Sequence, residues 1–450
     1  MAWYDNAVIY HIYPLGLCGC SHENRGQNEY HFDKLNQWSI HAKDMGCTCI
    51  YIGPLFESQS HGYDTTDYRK VDRRLGSNQD FKDFIQRCHN MNIKVIVDGV
   101  FNHTGRNFFA FQDLKKNREN SVYKDWYCNV NFWGNNEYND GFFYDSWGGC
   151  NSLPRLNNAN YKVRQYHFET VRYWIREFDI DGIRLDAADV LDFNFMRELR
   201  GLTNNIKNEF WLLGEVIHGD YRQWVNDSTL HSVTNYAMHH AIYSSHNSHN
   251  YFEVAHGVKR MVDMYGDSKL YNFLDNHDVS RIYNKLYNKQ HLYNVSLLLY
   301  TIPGIPSIYY GSEFCVSGDK QSGSDWNLRP CLELNDYSSF YEKSEITKLL
   351  CKLGDAKKKY PELTYGYYQE LYLTNRQYAY SRIINNRAVV VILNNDDYDS
   401  HMEITIPFEV DKAENILNNN TGRFNIFKKQ GYSQLNIDIP ANYGYILYVY

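Results

Sequence analysis

Residues 180–189 read IDGIRLDAAD. The run is short and apolar at its centre, and it finishes on charge. Arg184 and Asp186 stand two residues apart, on one face of any strand built from it. Seven other runs share this make: AVIYHIYP from Ala7, CTCIYIGP from Cys47, IKVIVDG from Ile93, FWLLGE from Phe210, SVTNYAM from Ser232, LYNFLDN from Leu270 and IPSIYYG from Ile305. Such nearly continuous apolarity suits parallel strands buried on both faces.

Helical patterns fill the intervals. The spacing predicts a helix capped by Asn78, with Phe81, Phe84, Ile85, Cys88 and Met91 on its apolar face, and another capped by Asn160, carrying Val163, Tyr166, Val171, Trp174, Ile175 and Phe178. Eight strand–helix repeats predict an α/β fold, a (β/α)8 TIM barrel. A doubly wound open sheet accommodates eight strands less well, and no Gly-rich phosphate turn supports it.

The third and fourth runs start 87 residues apart, at Ile93 and Ile180. The excess is rich in Asn, Gly and aromatics, and predicts a short subdomain inserted after strand 3, at residues 104–159. Beyond Pro361 the pattern changes to short alternating segments such as QYAYSRII, RAVVVIL and YGYILYVY, which predict a C-terminal antiparallel β-sandwich. The expected domains are therefore a catalytic barrel from 1–103 and 160–362, an insert at 104–159 and a sandwich at 363–450.

Composition narrows the function. A chain of 450 residues can hold more than one compact unit, and its formal charge of −7 argues against a nucleic-acid partner. The longest apolar candidate, VSLLLYTIPGIP, is short and broken by Pro303 and Pro306, so no membrane partner is expected. The start, MAWYDNAVIYHIYP, has no basic n-region or small-residue cleavage site, which leads to the expectation of a cytoplasmic chain. Ten cysteines fit reduced thiols there; the pairs Cys18/Cys20 and Cys47/Cys49 lack the spacing of zinc sites. The 41 tyrosines, 23 phenylalanines and 9 tryptophans offer flat apolar faces, many with a polar tip, which suit sugars as well as cores.

Active sites of such barrels lie at the C-terminal strand ends. Strand 3 ends in DGVFNH, with Asp98, Asn102 and His103; strand 4 supplies Arg184 and Asp186; strand 5 ends in LLGEV, with Glu215; strand 7 ends in FLDNHD, with His277 and Asp278. Like charges gathered on one rim drive their pKa values apart, so that one carboxyl holds a proton while another is ionised. Glycoside hydrolysis needs that division of labour.

DGVFNH, GIRLDAAD, LLGEV and FLDNHD, in that order, resemble the four short signatures of the α-amylase family, and HGYDTTDY at residues 61–68 adds to the similarity. The resemblance implies a retaining α-glycoside hydrolase with Asp186 as nucleophile, Glu215 as acid/base and Asp278 as the carboxylate that binds sugar hydroxyls and helps twist the ring. It implies that Arg184 orients Asp186, that His103 and His277 bond sugar hydroxyls, that Tyr63 stacks on the ring, and that Asp98 supports the rim. A retaining pair needs its carboxyls about 5–5.5 Å apart, and Glu215 is expected to carry the raised pKa.

Two departures bear on the substrate. Where calcium-dependent endo-acting relatives continue the nucleophile motif into Lys-His, this chain has Asp189 and Val190. No cofactor is required for the chemistry; calcium is left open, with Asn102 at the matching ligand position. GSDWNLRP carries Asp325 and Arg329, similar to the pair by which cyclomaltodextrinase- and neopullulanase-like members hold the second sugar on the non-reducing side. The implied partner is an α-glucan oligosaccharide, cleaved at α-1,4 bonds. A transglycosylase or sucrose-type isomerase with the same three carboxylates is the alternative. A non-catalytic barrel would have lost the carboxylates, and a metal-dependent barrel hydrolase would end strand 1 in His-x-His rather than HIYP. Oligomeric state is left open. Trp133, Phe143 and Trp147 of the insert are read equally as sugar platforms or as packing.

Overall fold

The computed structural model describes residues 2–266, 268–338, 344–417 and 424–450. Eight parallel strands are wound in one sheet: β1 (Ile9–Ile12), β2 (Cys49–Ile52), β3 (Lys94–Gly99), β4 (Gly182–Leu185), β5 (Trp211–Gly214), β6 (Ser232–Val233), β7 (Tyr271–Phe273) and β8 (Ile305–Tyr309). Hydrogen-bonded neighbours run β6-β5-β4-β3-β2-β1-β8-β7, and a parallel bridge between Thr234 and Tyr271 closes the ring. The predicted barrel is the observed one.

Residues facing inward explain why these strands close. Ile9, Cys49, Ile96, Trp211, Leu213, Tyr271, Phe273 and Ile305 pack into one apolar cluster inside the ring. Gly182 leaves room for this filling: a Cβ there would meet Trp211 O at 2.5 Å and Ile96 Cγ2 at 2.9 Å. By the period of two, the next inward positions toward the C-terminal rim are His11, Tyr51, Asp98, Arg184 and Glu215. The barrel therefore changes from apolar to polar along its own axis, toward the site.

The helices pack outside: α1 (Phe32–Asp44), α2 (Asn78–Asn90), α3 (Tyr161–Tyr173), α4 (Phe193–Ile206), α5 (Tyr236–Asn247), α6 (Phe252–Tyr265), α7 (Leu292–Thr301) and α8 (Glu345–Lys359). Two boundaries differ from the sequence reading. Ser77, not Asn78, caps α2, its hydroxyl accepting from Asp80 N–H while Asp80 takes the Ser77 N–H in a reciprocal box. SVTNYAM holds only a two-residue strand, because the Asn235 side chain accepts from Met238 N–H and starts α5 at Tyr236. Asn160 caps α3 as read, accepting from Lys162 N–H.

Residues 104–159 carry a helix at Phe109–Asn117 and otherwise irregular chain tied by isolated bridges. After a short helix at Glu362–Tyr365 come β9 (Tyr367–Leu373), β10 (Gln377–Ile384), β11 (Arg387–Asn394), β12 (Ser400–Ile406), β13 (Ala413–Asn415), β14 (Phe424–Lys429), β15 (Tyr432–Ile439) and β16 (Tyr443–Val449). They form a five-stranded sheet, β9-β10-β11-β16-β13, and a three-stranded one, β12-β15-β14, around a shared core of residues such as Ile392, Ile404 and Ile437. This unit is anchored to α7, where Asn294 Nδ2 donates to Asn394 O at 2.8 Å. No helix among the described residues is long and apolar enough to cross a membrane.

Candidate active site

The barrel ladder runs into the candidate residues themselves. Asp186 N–H donates to Gly99 O at 3.1 Å and Glu215 N–H to Leu185 O at 2.9 Å, so both backbones are held by neighbouring strands. Ala187, just beyond, adopts the left-handed region (φ 47°, ψ 44°). That strained turn aims its N–H at Glu215 Oε2, 3.0 Å away.

Arg184 organises the acidic end. It is buried, and its Nη1 donates to Asp98 Oδ1 at 2.9 Å and to Asp186 Oδ1 at 3.0 Å, while Nη2 faces Glu215 Oε2 at 2.9 Å. One guanidinium thus joins three carboxyls, with Asp186 and Glu215 at its two ends. Asp98 also accepts from Tyr51 Oη at 2.8 Å and Tyr63 Oη at 3.3 Å. A Cβ at residue 53 would fall 2.3 Å from Asp98 Oδ2, which is why Gly53 occupies that position.

Tyr63 continues the chain of contacts. Its hydroxyl shares a short hydrogen bond with His277 Nε2, and the two rings stack at 5.4 Å. His277 Nε2 lies 2.9 Å from Asp278 Oδ2. Arg329 grips the other carboxylate oxygen, Nη2 to Oδ1 at 3.0 Å, while its Nε donates to His277 O at 3.1 Å and Nη1 to Tyr13 Oη at 3.2 Å. Asp325 Oδ2 stands 3.6 Å from the same guanidinium. Glu215, Arg184, Asp186, Asp98, Tyr63, His277, Asp278, Arg329 and Asp325 therefore form one connected network.

His103 lies beside it, buried, with no hydrogen-bond partner for Nε2 among the described residues. Burial, helped by nearby His61, lowers its pKa to about 3, so the imidazole is neutral and free to bond a hydroxyl. Trp147 is 5.7 Å from its ring and half-exposed, while Trp133 is fully exposed; neither is core.

The carboxyls differ in charge preference. Against the upward push of burial, His277 and then Arg329 hold Asp278 far below the usual range. Burial pushes Asp186 well above it; Arg184 opposes, and the charges of Glu215, Asp98 and Asp278 reinforce the rise. Asp186 is thus a carboxyl that burial drives toward its protonated form, with Arg184, shared among three acids, opposing the rise.

Sequence reading did not single out Tyr236, Tyr51 or Tyr13. Tyr236 Oη donates to Glu215 Oε1 at 3.4 Å and accepts from Asn276 Nδ2 at 3.2 Å. It also lines a cavity of about 370 Å³ with Ile217, His218 and His240. Inward parity in β2 marks Tyr51 in retrospect; nothing local marks Tyr236, which sits where the run was read as strand.

Asn102 is buried, and its side-chain amide faces His103 Nδ1 at 3.3 Å. Calcium takes about 6–8 oxygen ligands. Among the described residues no group of three carboxylate, imidazole or thiol donors gathers at Asn102.

The family model described as "Alpha amylase, catalytic domain" matches residues 40–352. Cyclomaltodextrinase of Thermoanaerobacter pseudethanolicus is 33% identical over 446 residues, covering 92% of this chain and 74% of that protein. Maltogenic alpha-amylase of Bacillus acidopullulyticus is 30% identical over 447 residues, covering 93% and 73%. Among solved structures, the native debranching enzyme of Nostoc punctiforme superposes with a TM-score of 0.86 at 27% identity, covering 99% of this chain and 98% of that one.

Proposed function

Because the chain belongs to the α-amylase family of glycoside hydrolases, we propose that it cleaves α-1,4-glucosidic bonds of maltooligosaccharides and maltodextrins with retention of configuration. The observation that carries this reading is the division of Arg184 between Asp186 and Glu215, at 3.0 and 2.9 Å from its two ends. Two carboxyls held side by side by one cation are what a double displacement needs.

In the first step Glu215 gives its proton to the glycosidic oxygen as Asp186 attacks the anomeric carbon, forming a glycosyl ester and releasing the shortened glucan. Water then enters, Glu215 takes its proton, and the ester breaks with the sugar returned in its original configuration. Arg184 steadies Asp186 as an anion, and sugar binding, by excluding water and bringing hydroxyl donors, favours the proton on the acid rather than the nucleophile. Asp278, held ionised by His277 and Arg329, accepts hydrogen bonds from ring hydroxyls that strengthen as positive charge develops. His103 Nε2 and His277 meet other hydroxyls, and Tyr63 presents its ring to the sugar.

Short soluble substrates are supported by the rim. Arg329 and Asp325 narrow one end, while Asp189 and the exposed Val190 stand where a Lys-His clamp for a long chain would be. The reading places the enzyme with small glucans inside the cell. Maltotriose, cyclodextrins, pullulan, starch and sucrose, assayed side by side with product sizes recorded, test it. Glucose and maltose from maltotriose support hydrolysis; longer oligomers mean that a sugar hydroxyl resolves the ester, and turnover of sucrose alone overturns the substrate class.

A further inference from the structure

The loop after β1 gathers three metal-ligating side chains away from the catalytic network. Cys20 Sγ, a carboxylate oxygen of Glu29 and a ring nitrogen of His31 all lie within 4.8 Å of one another. Backbone pairing brings them together. Glu29 N–H donates to Arg73 O and His31 N–H to Leu75 O, each at 2.8 Å, so residues 29–31 run alongside 73–75 like a short strand pair. Alternation along that pair turns Tyr30 to solvent and Glu29 and His31 inward. Cys20, only 5% exposed, reaches the same place and donates from Sγ to Arg74 O at 3.2 Å, between the two backbone bonds.

We propose that Cys20, Glu29 and His31 bind a borderline-soft divalent cation, zinc in preference to calcium or magnesium. Thiolate, imidazole and carboxylate are the three protein donors zinc accepts, at about 2.0–2.3 Å, and a triangle of this size closes around such an ion with small side-chain rotations. Sulfur selects against calcium and magnesium, which prefer oxygen alone. Binding releases the thiol proton to solvent, and His31 Nε2 exchanges its 3.0 Å contact with Glu29 for the metal. Glu29 and His31 remain partly open to solvent, so the fourth position is available to water.

The site has a structural consequence. Arg74 Nη1 donates to Ser21 O at 2.8 Å and Ser60 O at 2.7 Å, tying the start of the loop to the segment that precedes Tyr63. In the same loop His22 stacks on Trp326 at 3.8 Å, next to Asp325. An ion at Cys20 thus fastens the loop that borders the Asp325 end of the cleft.

Cobalt(II) titrated into the full-length, chelator-treated protein is the probe. One equivalent per chain should give a thiolate-to-cobalt charge-transfer band that zinc abolishes by displacement. Cys20→Ser should lose the band, His31→Gln should weaken cobalt binding at least tenfold, and Cys331→Ser should leave both unchanged. Zinc should also raise the melting temperature of the wild type and not of Cys20→Ser. Absence of a stoichiometric band in the wild type overturns the proposal, as does a band that persists in a folded Cys20→Ser variant. Neither readout depends on the substrate or on catalytic turnover.

Discussion

Arg329 Nη2 stands 3.0 Å from Asp278 Oδ1, closer than the 3.6 Å that separates it from Asp325 Oδ2. The guanidinium is also committed to His277 O and Tyr13 Oη. Arg329 therefore acts first as a positioning residue for Asp278, and Asp325 is left as the member of the pair more open to a sugar. Arg329→Ala is expected to lower kcat, by about 10²-fold for a misplaced catalytic group. Asp325→Ala should instead raise KM for maltotriose with kcat little changed. Steady-state kinetics of the two variants separate the roles.

Asp186→Asn and Glu215→Gln should each lose about 10³-fold or more in kcat while keeping the wild-type circular dichroism spectrum. Their stabilities should differ in an informative way. A carboxyl whose folded pKa is raised contributes stability below its unfolded pKa and loses it as pH rises through the folded one. At pH 7 the buried Asp186 carboxyl is thus a cost to the fold, and Asp186→Asn should melt at a higher temperature than wild type. Scanning calorimetry at pH 7 checks the sign.

Asp278 should behave in the opposite sense. Its folded pKa is depressed by His277 and Arg329, so its contribution is present above the unfolded value of about 3.9 and lost as pH falls toward the folded one. Asp278→Asn should be less stable than wild type at pH 7, with the gap narrowing below about pH 4. Urea unfolding at pH 7, 5 and 3.5 measures it.

His103→Ala should reduce kcat/KM about tenfold, the cost of one lost hydrogen bond to the sugar. Because the His103 imidazole is already neutral, with its pKa lowered to about 3, the substitution should leave the pH profile of kcat/KM between 5 and 8 unmoved. A shifted acidic limb would mean that His103 titrates in the working range.

The barrel was legible because each strand is buried on both faces, so its residues are apolar in unbroken runs, and the rim residues stand out as the charges that end them. Boundaries were harder where a side chain competes with the ladder: Asn235 cuts β6 to two residues, and Ser77 takes the cap expected of Asn78. Strand-end position brought Asp98, Arg184, Asp186, Glu215, His277 and Asp278 into view together. Partnerships between the ends of neighbouring strands did not show. Tyr51 reaches Asp98, Tyr236 reaches Glu215 from a helix, and Arg329 turns to Asp278, all by contacts between residues distant in the chain. The Cys20, Glu29 and His31 group was invisible for the same reason, since pairing with residues 73–75 assembles it.

Retention through Asp186 is most directly tested by proton NMR of the first product formed from an α-linked maltooligosaccharide, read before mutarotation. The α-anomer of the newly released reducing end should appear first, decaying later to the equilibrium mixture. A β-anomer appearing first would mean a single displacement by water and would contradict the assignment of Asp186 as nucleophile.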